Sequence, residues 1–265
     1  MRTLKLTLAY DGTDFAGWQT QPGRPTVQQT LETAVEKITG QRVSTLASGR
    51  TDAGVHALGQ VVGLRIQSRL SAEDFRRALN ANLPRSIAVL DAAEAPEGFH
   101  PIRSALRKRY RYVIHDGPIR DVFRRGYCWQ YRYGPLDAAD MQRAAAPLTG
   151  THDFSSFETS GAPRKTSVRT VFEIEVQRGR GDLANLVTVE IEANGFLYNM
   201  VRSIVGTLVE VGRGVRPESW PAEVLAAMDR RAAGQTAPPQ GLFLVKVDYP
   251  IAEPAGCESP TSSRD

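Results

Sequence analysis

The same order of secondary-structure elements can be read twice along this chain, and few folds are open to a chain built that way. Residues 3–10 alternate, with Leu4, Leu6 and Leu8 on one strand face. Asp11 and Gly12 turn the chain. Thr26, with Gln29 three residues on, makes a capping box for a helix whose stripe is Val27, Leu31, Ala34, Val35 and Ile38; Gly40 closes it. Residues 43–46 and 60–66 read as strands. Ser71 caps a second helix with Asp74 at its third position, Phe75, Ala78, Leu79 and Leu83 face inward, and Pro84 stops it. Residues 87–93 form a further strand. Then the order begins again. Residues 106–115 are a strand with Lys108, Tyr110, Tyr112 and Ile114 on one face, and Asp137 caps a short helix ending near Pro147. Residues 166–177 and 186–193 alternate across a polar loop at 178–182 and predict a hairpin. A helix over 196–211 stops at Gly212 and Gly214, another covers 219–233, and 242–249 is a strand.

Each pass is β-α-β-β-α-β, the ferredoxin-like order, with one helix added in the second. The expected fold class is α+β. Two such halves, residues 1–103 and 104–250, join edge to edge into an extended, mostly antiparallel sheet with a central cleft, a usual place for a ligand. The repetition is one of element order; no residue-level repeat accompanies it. Residues 251–265 have the composition of a disordered tail.

Charge narrows the partner. The net charge of +4 is modest, but residues 100–132 carry nine Lys/Arg against Asp116 and Asp121. Tyr110, Tyr112, Tyr127, Trp129, Tyr131 and Tyr133 lie among or beside them. A solvated basic face would explain the charge. Nucleic acid explains both, since phosphates attract cations and bases stack on aromatic rings. With two cysteines there is no zinc site, and a reduced, cytosolic setting is the simple reading. No apolar run approaches the ~20 residues of a membrane span, and residues 1–10 lack a signal-peptide core.

Chemistry concentrates between the strands at 43–46 and 60–66. Gly49-Arg50-Thr51-Asp52-Ala53-Gly54-Val55-His56 puts a cation, an acid and a histidine in a loop flanked by glycines. A surface turn in which Asp52 caps a backbone amide accounts for these residue types too. Arg202 is a second clue. Phe196, Leu197, Met200, Val201, Ile204, Val205, Leu208 and Val211 form a wide apolar side of its helix, with Asn199, Arg202, Gly206 and Glu210 opposite. Either that strip faces water, or Arg202 crosses a cleft to a carboxylate, because an unpaired buried charge costs too much. The apolar pattern alone leaves both readings open. Of Tyr110 and Tyr112, on one strand face, one suits the core and the other could present its ring to an unstacked base. His152, Asp153, Ser155 and Ser156 hold hydrolase residue types without a Gly-x-Ser-x-Gly elbow. The histidines lack paired metal spacing, and no phosphate-binding loop or dinucleotide fingerprint is present, so a nucleotide cofactor is not expected.

The loop at 49–57 resembles the signature of the TruA family of tRNA pseudouridine synthases. So do the blocks at 10–19, 80–84, 109–112, 150–154, 196–202 and 237–244, collinear from about residue 3 to 250. The resemblance implies isomerisation of uridine to pseudouridine in the tRNA anticodon stem-loop, at nucleotide positions 38, 39 and 40. It implies tRNA as the partner of the central cleft, no cofactor, and a cytoplasmic homodimer. Carried over by residue, Asp52 is the nucleophile, Arg50 and Arg202 the cations around it that favour its ionised form, and Tyr110 and Leu242 substrate-binding residues, Tyr110 stacking on the base. With Arg202 placed beside Asp52 by the resemblance, an Arg202–Asp52 ion pair is the expectation. A non-catalytic RNA-binding protein on the same two halves is the alternative; it would not need Asp52 in that loop or an arginine to meet it.

Overall fold

A computed structural model describes residues 1–159 and 166–250; the tail expected at 251–265 lies outside them. The first half runs β1 (Arg2–Tyr10), α1 (Val27–Thr39), β2 (Thr45–Ala47), β3 (His56–Ile66), α2 (Ala72–Asn82) and β4 (Ile87–Glu94). The second runs β5 (Arg107–His115), β6 (Trp129–Gln130), α3 (Ala138–Ala145), β7 (Gly150–Asp153), β8 (Val168–Arg178), β9 (Leu186–Ala193), α4 (Met200–Gly212), α5 (Trp220–Ala227) and β10 (Leu242–Asp248), with short 3₁₀ turns between. The α+β, ferredoxin-like order is present twice. The N-caps form, though at Thr26 only the forward bond of the capping box is made: Thr26 Oγ1 accepts from the Gln29 amide and Ser71 Oγ from the Asp74 amide, while Gly40 takes the left-handed conformation that ends α1.

All ten strands belong to one sheet, ordered β4-β1-β3-β10-β5-β9-β8-β7, with β2 on β3 and β6 on β5. The halves meet where β10 lies parallel to the start of β3, Phe243 opposite His56 and Leu244 opposite Ala57. Farther along that edge, β2 covers only Val62, Gly63 and Leu64. Alternation aims Leu4, Leu6, Leu8 and Tyr10 of β1 into a core shared with Leu31, Phe75 and Leu79; the same core continues through Tyr112, Ile191, Ile204 and Leu208 of the second half. Burial at about 25 cal/mol per Å² of apolar surface makes this shared core the main favourable term in joining the halves.

Three expectations shift. β3 begins at His56, four residues before the alternation at 60–66, because its first residues find a partner in β10 that local pattern cannot reveal. Residues 196–199 lie outside α4: Asn199 sits at its N-cap with φ +61. The helix read over 219–233 ends at Ala227; Met228 turns left-handed, and a 3₁₀ turn over Arg230–Ala232 follows. Among the described residues, no helix is long and apolar enough to cross a membrane.

Candidate active site

The loop at 48–55 joins β2 to β3 beside the seam, and both halves hold it. Its backbone is gripped by the 11–18 segment: Trp18 N–H donates to the Thr51 carbonyl at 2.9 Å, and Gly54 N–H to the Phe15 carbonyl at 3.4 Å. Tyr10 Oη and Thr51 Oγ1 are 2.7 Å apart. Beneath lies Gln60, fully buried, its Oε1 accepting from Ser48 Oγ at 2.7 Å and its Nε2 donating to the Gly49 carbonyl at 2.8 Å. From β5, Lys108 Nζ donates to the Ser48 carbonyl at 2.6 Å. Gly54 takes φ +76, which a side chain would oppose. Each bond nets about 1 kcal/mol; together they leave the Asp52 side chain little choice of position.

His56 closes the loop as the first residue of β3. It is buried, its Nδ1 accepts from Gly12 N–H at 3.0 Å, and its Nε2 donates to the Gly126 carbonyl at 3.0 Å. Burial pulls its pKa down, against the opposing pull of Asp11. With Asp11 Oδ1 also 3.1 Å from Nδ1, the ring is engaged at both nitrogens and braces the motif against residue 126.

Asp52 faces Arg202 of α4. Arg202 Nη1 lies 3.4 Å from Asp52 Oδ2 and 2.8 Å from Asn199 Oδ1, and its Nε donates to the Ala237 carbonyl at 2.6 Å. The expected ion pair is therefore formed, and the polar strip of α4 faces a protein segment, not water. Gly206, one turn on, packs so closely under residue 235 that a Cβ there would sit 1.7 Å from the Gln235 carbonyl oxygen. Two expectations fail on electrostatics. Burial raises the Asp52 pKa, and Arg202, which pulls it down, does not outweigh that. Arg50 is exposed at the cavity rim with no ion pair to Asp52, so one arginine, not two, holds this carboxylate.

The two tyrosines separate as their shared strand face allowed. Tyr112 is fully buried and donates its hydroxyl to the Pro238 carbonyl at 2.7 Å. Tyr110 lines the cavity with its ring edge-on to Phe196, centroids 5.0 Å apart. Burial first, then Tyr10 and the Asp52 carboxylate, push the Tyr110 pKa far up. It is a phenol at neutral pH and no standing base. Asp52, Arg50, Tyr110, Phe196, Arg202 and Leu242 line one cavity of about 860 Å³, within the range that holds small ligands. Leu242 supplies apolar wall at the start of β10.

Other constellations do not assemble. His152 is directed at the Thr149 carbonyl, 2.9 Å away, and Ser156 Oγ accepts from Asp229 N–H, so no Ser–His pair exists there. The residues that sequence reasoning missed are the holders of the loop. Gln60 had a signal, a lone amide in an apolar strand; so had Lys108, on the same strand face as Tyr110.

A family model described as tRNA pseudouridine synthase matches residues 7–102 and 144–250. The chain belongs to the tRNA pseudouridine synthase family. Its members named tRNA pseudouridine synthase A include one from Thermoanaerobacter sp. (strain X514), 44% identical over 94% of this chain and 100% of its own. One from Myxococcus xanthus is 46% identical over 96% of this chain and 95% of its own, and one from Moorella thermoacetica 46% over 94% and 100%. Among solved structures, the archaeal box H/ACA sRNP Nop10-Cbf5 complex aligns with 78% of this chain and 44% of that one, at 12% identity and TM-score 0.36, too low to carry detail across. A tRNA pseudouridine synthase is an isomerase, and tRNA is its substrate. Asp52, Arg50, Arg202 and Leu242 fall within the matched residues; Tyr110 falls in the stretch between them.

Proposed function

We propose that this pseudouridine synthase acts on the anticodon stem-loop of tRNA, at nucleotide positions 38, 39 and 40, with Asp52 as nucleophile and the target uridine flipped out of its stack. The Arg202–Asp52 pair across the cavity is the observation that carries the reading. The reaction breaks the C1′–N1 bond, turns the base, forms a C1′–C5 bond, and moves the C5 proton to solvent while N1 gains one. Atoms are conserved, so neither an oxidant nor an energy source enters. What it needs is an ionised carboxylate at the ribose C1′ or uracil C6, and Arg202 counters part of the burial that opposes ionisation. Flipping costs a few kcal/mol. The Tyr110 ring, held edge-on by Phe196, recovers part by stacking, worth ~1–3 kcal/mol per base. Arg50, exposed and without a carboxylate partner among the described residues, serves RNA phosphate instead in this reading.

The same reading divides the chain into halves at 1–103 and 104–250, meeting at the β3–β10 seam, and takes the enzyme to be a cytoplasmic homodimer, which sedimentation of the purified protein tests. The function is tested by mapping pseudouridine in tRNA from cells lacking the protein. Loss confined to the anticodon arm is expected; loss at other positions alone would overturn the assignment.

A further inference from the structure

The basic stretch at 100–132 is not one surface. On β5, Arg107 lies 3.0 Å from Glu192 and Arg111 2.6 Å from Glu190, both on β9; Arg109 meets those two and Glu173 of β8. These cations are already neutralised by the sheet. The connection after β5 differs. Arg120, Arg125 and Arg132 are exposed and form no ion pair among the described residues. Only Arg124 is matched, by Asp121. Between them Phe123 is 88% exposed and Ile119 80%.

An exposed phenyl ring on a floppy loop would need no explanation. This loop is ordered. Asp121 Oδ1 accepts from the amides of Phe123 and Arg124, each at 2.9 Å, and Arg125 Nη1 donates to the Val122 carbonyl at 2.7 Å. Gln130 Oε1 takes the Asp121 amide at 3.0 Å, and Tyr127 N–H donates to the Arg124 carbonyl at 2.8 Å. The fold holds an apolar ring in water and gains no packing from it, with Arg125 two and Arg120 three residues away in sequence, both exposed and without an ion pair among the described residues. The loop also returns against the catalytic motif: Gly126 accepts from His56, the Tyr127 ring lies 5.3 Å from the His56 ring, and Tyr127 Oη donates to Asp11 at 2.7 Å.

We propose that residues 118–125 are a tRNA-docking loop, with Phe123 stacking on an exposed base or ribose and Arg120 and Arg125 on flanking phosphates. Charge complementarity selects the occupant: unpaired cations around an aromatic ring fit a polyanion that carries stacking faces. The loop lies between the two segments that the family model matches. The proposal rests on tRNA being the substrate.

The experiment uses the full-length enzyme and full-length tRNA. Wild type is first shown to convert uridine; failure there would strike at the proposed function and not at the loop. Phe123→Ala breaks no internal packing, so folding is preserved. It is expected to weaken tRNA binding about tenfold, leave the single-turnover rate at saturating tRNA unchanged, and be rescued by Phe123→Trp. Arg120→Gln and Arg125→Gln are each expected to flatten the salt dependence of binding by roughly one phosphate contact. Binding within twofold of wild type in all three would overturn the proposal. So would loss of oligomeric mass in Phe123→Ala, which would assign the loop to a second copy of the chain.

Discussion

The connection between the second and third strands exists in both halves, and the two copies could hardly differ more. In the second half β8 is eleven residues long and pairs with β9 up to Arg178 opposite Val187. The link at 179–185 therefore falls at the end of a complete hairpin, with residues 181–185 all exposed. Its bonds are largely to itself and its flanks: Leu183 N–H to Arg180, Ala184 N–H to Gly181, Gly179 N–H to Leu186. In the first half β2 has three residues and leaves the start of β3 uncovered. That vacancy admits β10, and the link at 48–55 runs along the seam, not out into water. A shortened strand thus changes a surface turn into a partly buried, doubly held loop. Both links carry an aspartate; only Asp52 has an arginine facing it.

Asp52→Asn should separate the links most sharply. Turnover, followed as tritium release from C5-labelled uridine in tRNA, is expected to fall on the order of 10³-fold or more, while Asp182→Asn changes nothing. The stability sign runs the other way. Asp52 has its folded pKa raised by burial, so it favours folding only when protonated, and that contribution is lost as pH rises through the folded value. At neutral pH the ionised carboxylate is a cost, and Asp52→Asn should melt no lower than wild type. A mutant that melts well below wild type would make Asp52 a structural cap.

Arg202→Met comes next, with turnover down on the order of ten- to a hundredfold. Without Arg202 nothing opposes the upward push of burial on Asp52, so the acid limb of the pH–rate profile should move to higher pH. A limb that stays put or moves down would exclude the pair as the source of ionisation. Gln60→Leu should have a smaller effect, about tenfold on turnover and ~1–3 kcal/mol in urea unfolding, since Ser48 Oγ and the Gly49 carbonyl lose a buried partner. Unchanged turnover at reduced stability would show that the loop needs no floor. The least effect belongs to the exposed link: two glycines inserted between residues 181 and 182 should shift stability by about 0.5 kcal/mol or less and leave turnover alone. A large loss would break the contrast between the links.

Local physics made the element order legible. Thr26 with Gln29 and Ser71 with Asp74 mark helix starts by side-chain chemistry alone, and the alternation of Val187, Val189 and Ile191 marks a half-buried strand. A partner for Arg202 was legible for another reason: an apolar helix that buries a cation must supply it with one, and the family resemblance, not the helix pattern, named Asp52. Edge-to-edge joining of the halves was legible, but not which strands form the seam, because the β3–β10 pairing is parallel and nearly two hundred residues distant in sequence. Nor was the silence of the β5 arginines, although Glu190 and Glu192 alternate with Val189 and Ile191 and so share a strand face; the missing knowledge was that β9 would lie beside β5. The pKa direction of Asp52 failed similarly. Arg50 two residues away, and Arg202 placed beside Asp52 by the family resemblance, suggest a low value, but the depth of the cavity and the outward position of Arg50 are properties of the assembled fold.

The parallel contact between β3 and β10 also sets a timetable. Translation delivers the Asp52 motif early, and the first half can close around it while its outer edge waits. Arg202 arrives about 150 residues later, and Leu242 only with the strand that fills the seam. At a ribosomal pace of about 5–20 residues per second, the Asp52 carboxylate stands for many seconds without its cation or its cavity wall. A polypeptide released after the motif but before residue 242 carries Asp52 without the enclosed cavity, so the complete cavity reports that the ribosome has reached β10.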